Sequence, residues 1–178
     1  MRKIFTLTFI VAVTIALTYA LARYMKMDSF AFAWALNFLL MAGTINFTEA
    51  LKGQLNQGYY NEQPWERGGK IYRSLGIDFY RKLLVWIGWE KLNKKAAPVE
   101  KNTEALEHLH YRTKKSELGH LIILIIVLGF NIFVAFKFGI LKSLWLLILN
   151  ILLNLYPVLL QRYNRPRIER AIKISKRR

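Results

Sequence analysis

Four stretches of the chain are almost uninterruptedly apolar: Ile4–Ala22, Phe30–Ile45, Leu118–Phe136 and Phe138–Leu160. Each is about the length needed to cross a ~30 Å hydrocarbon layer, the second being slightly short. Backbone polar groups must be satisfied internally in lipid, and continuous apolar runs, unlike alternating ones, predict helices. The expected fold is all-α: a polytopic membrane protein of about four transmembrane helices forming a single membrane domain over residues 1–178. The opening "MRKIFTLTFIVAVTIALTYALA" also has the basic start and the Ala20-Leu21-Ala22 ending of a signal peptide. Its apolar stretch exceeds the ~7–15 residues usual for such a signal, which favours a retained first span.

Between spans two and three the pattern changes. "QPWERGGKIYRSLGIDFYRKLLVWIGWEKLNKK" interleaves tryptophans with basic residues and aliphatics. Leu75, Phe79, Leu83, Trp86 and Leu92 fall on or near one helical face, which predicts an amphipathic helical segment lying in the headgroup layer. Pro98 then breaks the chain, and Asn102 or Thr103 is placed to cap a helix that runs into the third span.

Polar residues inside the last two spans form stripes. Glu117 and His120 share a face at the mouth of span three, and the same face reaches Asn131 three turns later. Span four carries Asn150, Asn154, Gln161 and, with some drift, Asn164. An antiparallel hairpin turning near 139–142 brings together residues whose numbers sum to about 281. That register pairs Asn131 with Asn150, His120 with Gln161 and Glu117 with Asn164. The result is a polar seam leading to a cluster of Glu117, His120, Gln161 and Arg165. Intramembrane asparagines also serve as interhelical hydrogen-bond glue. Here the density of the cluster, rather than any one member, points to a site.

Charge orients the chain. Although 54% of residues are hydrophobic, the net charge is +16. Thirteen Lys or Arg lie in 47–118 and eight follow Leu160, whereas the two opposite turns hold two each. This asymmetry predicts a multi-pass cell-membrane protein with both termini and the 47–117 segment cytosolic. Anionic lipid accounts for the basic surface, so no nucleic-acid partner is expected. Absence of cysteine excludes disulfides, thiolate metal sites and a cysteine acyl-enzyme.

Three blocks carry a resemblance: "PWERGGKIYRSLGIDFYR", "YRTKKSELGH" and "NLYPVLLQRYNRPRI". They resemble the small membrane family of glycosyl-4,4'-diaponeurosporenoate acyltransferases of staphyloxanthin-type carotenoid synthesis. The first block is carried by Trp65, Glu66, Tyr72, Gly76, Ile77, Tyr80 and Arg81, the second by Arg112, Glu117 and His120. The third is carried by Tyr156, Pro157, Gln161, Arg162, Tyr163, Asn164, Arg165 and Arg167. Tyr80-Arg81 stand where the family pattern has Trp-Lys. The resemblance implies transfer of a fatty acyl group to a hydroxyl of a lipid or glycolipid acceptor, such as a glycosylated carotenoid. It also implies substrate-binding roles for Glu66, Tyr72, Arg112, Tyr156 and Tyr163.

The chemistry is consistent with those residues. Acyl transfer from a thioester to a hydroxyl needs a base and donors for the oxyanion. His120, the only histidine on the seam, suits the base, with Glu117 to orient it or to bind the acceptor hydroxyl. Gln161 and Asn164 suit the oxyanion. Arg162, Arg165 and Arg167 suit the phosphates of an acyl-CoA co-substrate, with no other cofactor and no metal expected. A non-catalytic membrane subunit or lipid anchor is the alternative. A third reading is a metal enzyme built on Glu107…His110 and Glu117…His120, a spacing found in di-iron bundles.

Overall fold

The computed structural model describes residues 2–51, 55, 58–89 and 102–177, among which there is no strand. In chain order the elements are α1 (Arg2–Tyr24), α2 (Phe30–Leu51), and short 3-10 turns at Gly58–Tyr60 and Pro64–Glu66. Then come α3 (Ile71–Ser74), α4 (Ile77–Trp86), α5 (Thr103–Phe138), α6 (Ile140–Asn150), a π turn (Ile151–Leu155) and α7 (Tyr156–Ser175). Four helices are long and apolar enough to cross a membrane: Arg2–Tyr24, Phe30–Ala50, Thr103–Phe138 and Ile140–Ser175. The protein is therefore a polytopic α-helical membrane protein, as its apolar runs predict. The chain divides into two compact units, 1–54 with 118–157 and 55–117 with 158–178.

The first unit is the apolar one. Phe32, Leu36 and Leu40 of α2 pack with Ile123 and Val127 of α5 and Leu146 of α6. In lipid this packing is held by close contact between helices rather than by expulsion of water. Gly43 shows how close α1 and α2 come: a Cβ there would lie 2.6 Å from Thr14 Oγ1. Phe30 meets Trp145 edge-on at 5.3 Å, and Lys142 pairs with Asp28 at 3.5 Å. Those residues make a polar-aromatic fringe of the kind found where helices leave a bilayer.

The α5–α6 hairpin reverses at Gly139 alone, with φ 97° and ψ 153°, a backbone region open essentially to glycine. This corrects the predicted register. Asn131 Nδ2 donates to the Ser143 carbonyl at 2.8 Å, and Asn150 Nδ2 to the Leu124 carbonyl at 3.0 Å. His120 Nδ1 faces Asn154 Oδ1 at 3.4 Å. The residue numbers of all three pairs sum to 274, seven below the expected value. A one-residue reversal moves the centre of the hairpin from 140.5 to 139, which accounts for three of the seven. The other four are one helical turn, set by asparagines that seek main-chain carbonyls instead of one another.

The second unit begins its described part with the turns before α3. In the Pro64–Glu66 turn the Gln63 amide donates to Glu66 Oε2 at 2.6 Å, closing a capping box. Gly69 has φ 81°, and a Cβ on it would meet the Tyr163 carbonyl at 3.1 Å, so glycine is needed there twice over. Along α4, Ile77 and Tyr80 are buried, while Phe79 and Trp86 point outward; Leu83 is half-buried, and Leu75, before the helix, is exposed. Of the expected stripe, Phe79 and Trp86 share the outward side of α4; Leu92 and Pro98 lie outside the described residues. Asn102 Oδ1 accepts from the Ala105 amide at 2.7 Å and so caps α5.

Candidate active site

In the membrane unit three asparagines and His120 form one connected chain. Asn37, on α2, donates Nδ2 to the Ala33 carbonyl at 2.8 Å. Asn150, on α6, is pinned in the same way by the Leu124 carbonyl. Each of these asparagines must turn its NH₂ to a carbonyl, which leaves its own oxygen as an acceptor. Asn154, in the π turn, uses its NH₂ on both of them, 2.6 Å from Asn37 Oδ1 and 2.9 Å from Asn150 Oδ1. Its remaining atom is an acceptor, and it faces His120 Nδ1.

This order of donors turns an acceptor toward His120, whose ring also hydrogen-bonds the Leu153 backbone. Nδ1 of His120 must carry the hydrogen to meet an acceptor, and a neutral imidazole has only one N–H. In a neutral ring protonated at Nδ1, Nε2 is the nitrogen left without a hydrogen. The sequence offered Glu117 either to orient the imidazole or to bind the acceptor hydroxyl, whereas the imidazole's side-chain partner here is Asn154. Asn37 escaped sequence reading altogether, although a lone asparagine in an apolar span was a readable signal.

In the second unit the buried groups are charged. Glu117, with 0% exposure, accepts from Arg162 Nε at 2.8 Å through one oxygen and from Arg165 Nη2 through the other. Glu66, 3% exposed, accepts from Arg162 Nη1 at 3.1 Å and from the Tyr72 hydroxyl. Arg162 also donates to the Tyr59 carbonyl at 2.6 Å, and Arg165 to the Tyr60 carbonyl at 3.0 Å and Thr113 Oγ1 at 3.5 Å. Arg162 also lies over the Tyr59 ring, 4.4 Å from its centroid. Two carboxylates and two guanidiniums thus neutralise one another, as burial of charge demands.

The environment shifts these groups accordingly. Burial opposes the charge on Glu66, but hydrogen bonds from Tyr72, the Gln63 amide and Arg162 hold its carboxyl below the usual range. Burial, with Glu66 alongside, pushes the Tyr72 phenol well above its ordinary value. Burial first, then the charge of Glu117, raises both Tyr59 and Tyr60. Tyr80 is pushed up to about 12 by burial alone.

The other predicted residues divide between bound and open. Gln161 Nε2 donates to Ser116 Oγ at 3.3 Å, whereas half-buried Asn164 has no partner among the described residues. Tyr156, at the start of α7, is half-buried, and Pro157 beside it supplies no helical N–H. Arg112 is exposed. Tyr163 is buried, with Arg167 over its ring at 3.6 Å. The remaining Glu-x-x-His residues go to separate partners, His110 to Glu169 at 3.0 Å and Glu107 to Lys176 at 2.6 Å. Tyr59 and Tyr60 were missed because their contribution is carbonyl oxygens and ring faces, which side-chain chemistry does not announce.

Residues 56–174 match the sequence profile of a family described as glycosyl-4,4'-diaponeurosporenoate acyltransferase. No curated protein and no solved structure matches the chain. The profile covers all three sequence blocks and two thirds of the chain, including every element of the second unit. The chain belongs to the glycosyl-4,4'-diaponeurosporenoate acyltransferase family, membrane acyltransferases of carotenoid biosynthesis.

Proposed function

We propose that the protein moves a fatty acyl group from an acyl-CoA-type donor to a hydroxyl of a glycosylated carotenoid or a similar lipid acceptor, with His120 Nε2 as general base. The observation that supports this is the asparagine chain, which holds one imidazole tautomer inside an apolar unit. In the reaction Nε2 takes the proton of the acceptor hydroxyl as its oxygen attacks the thioester carbonyl. The tetrahedral intermediate collapses, and the sulfur leaves with the proton returned by the imidazolium. The products are an ester and a free thiol. Purified protein given a radiolabelled acyl-CoA and a glycosylated carotenoid should yield the acylated acceptor; no product from any acyl thioester would overturn the donor class.

A groove in the same unit suits the acyl chain. It has a volume of about 860 Å³ and lies among α1, α2 and α5, lined by Ile10, Thr18, Gly43, Ile126, Gly129 and Phe133 among others. From Ile10 to Ala22 it runs roughly 18 Å at 1.5 Å per helical residue. A zigzag of ~1.5 Å carbon bonds advances about 1.25 Å per atom, so the groove takes some fourteen carbons. A Cβ at Gly129 would meet nothing within 4 Å, so a larger side chain there fills the groove without disturbing a helix contact. Gly129→Phe should therefore shift preference toward shorter acyl donors, measured as relative kcat/KM across a chain-length series; an unchanged profile would remove the groove from the reaction.

The distribution of basic residues favours cytosolic placement of both termini and the 47–117 segment in the cell membrane. Reporter tags at either terminus and within 96–103 should all read cytosol. A report from the opposite side would invert the orientation.

A further inference from the structure

The arginines of the second unit fall into two populations. Arg162 and Arg165 are buried, and each of their guanidinium nitrogens meets Glu117, Glu66, Thr113 or a backbone carbonyl. Their charge is already balanced inside the chain by Glu117 and Glu66. Around the ring of Tyr163 cations outnumber carboxylates, although Arg167 Nη1 also donates to the Tyr163 carbonyl. Arg167 lies 3.6 Å and Arg81 5.6 Å from its centroid, and Arg73 Nε reaches its hydroxyl at 3.5 Å. The only carboxylate paired with any of the three, among the described residues, is Asp78, 3.6 Å from both Arg73 and Arg81. Three guanidiniums therefore share one carboxylate, an excess of two positive charges.

We propose that Arg73, Arg81 and Arg167, gathered on Tyr163, form a binding site for a phosphate ester. Guanidinium forks match phosphate oxygens, and a phosphate dianion would balance the excess charge. Tyr163 is itself buried, so the ring that the cations share is a fixed platform and not a mobile surface side chain. Gly69 lets the chain approach the Tyr163 backbone, and the loop before α3 is thereby locked against α7. The arginines singled out for phosphate in the sequence are thus replaced, except for Arg167, by two from the α3–α4 region. The phosphate belongs either to the free acyl-CoA donor or to a lipid headgroup; the first identification rests on the acyl-transfer reading above, while the site itself does not.

The test uses the full chain in nanodiscs of neutral phosphatidylcholine, titrated with coenzyme A. Arg81→Gln and Arg167→Gln should each weaken binding about ten- to hundredfold, the loss expected for a hydrogen bond to a charged group. Lys82→Gln removes the same charge from an exposed neighbour on α4 and should change affinity less than about twofold. Absence of coenzyme A binding, together with phosphatidylglycerol retained in native mass spectra by wild type but not by Arg81→Gln, would identify the headgroup as the source. Equal losses for Lys82→Gln and Arg81→Gln would reduce the site to a diffuse basic surface and overturn it. So would full retention of both ligands by Arg81→Gln and Arg167→Gln. Acyl transfer that needs no phosphate-bearing donor would remove the donor assignment while leaving the site in place.

Discussion

His120→Ala should lower the rate of acyl transfer by about 10²–10⁴-fold, the usual cost of losing a general base. The effect should fall on kcat with KM nearly unchanged, because proton transfer is made only in the transition state. His120→Gln is the sharper variant, since its amide can still donate to Asn154 Oδ1 while offering no basic nitrogen. Both proteins should insert and extract like wild type. Asn154→Leu should fall between them and wild type, because the imidazole stays but no acceptor holds its Nδ1 proton. Undiminished turnover by either His120 variant would remove the base assignment, whatever became of the donor.

The four spans were legible because apolar length is a direct consequence of bilayer thickness, and a run of about twenty apolar residues seldom serves any structure but a span. Helix capping by Asn102 and the outward placing of Phe79 and Trp86 were legible because both depend only on near neighbours in the chain. The register of the hairpin was not. It depends on whether Gly139 reverses the chain alone and on whether Asn131 and Asn150 choose carbonyls or each other, and neither choice is written in spacing. The arginines illustrate a different limit. Arg162, Arg165 and Arg167 stand within six residues, yet the first two are internal counter-ions and the third rests on an aromatic ring. Residue type says that each can bind an anion. Only tertiary structure says which anion is a carboxylate of the same chain: Glu66, 96 residues earlier, neutralises Arg162 after a long loop has been closed.

Glu117→Gln should destabilise the protein by about 3–5 kcal/mol, since breaking a buried ion pair leaves its partners uncompensated. Both oxygens of Glu117 are taken by guanidiniums, so a neutral amide strands Arg165 and leaves Arg162 dependent on Glu66. At roughly 2–4 °C per kcal/mol for a chain of this size, thermal unfolding in detergent should begin on the order of 10 °C lower. The charge count suggests a rescue. Two carboxylates face two arginines, so removing Glu117 together with Arg165 leaves Arg162 and Glu66 as a balanced pair. Glu117→Leu with Arg165→Met should therefore recover most of the lost stability, because a buried ion pair replaced by apolar groups of similar volume is often neutral. If the double variant also recovers acyl transfer, Glu117 serves the fold and the chemistry rests on His120. A stable double variant without activity would return Glu117 or Arg165 to the reaction itself.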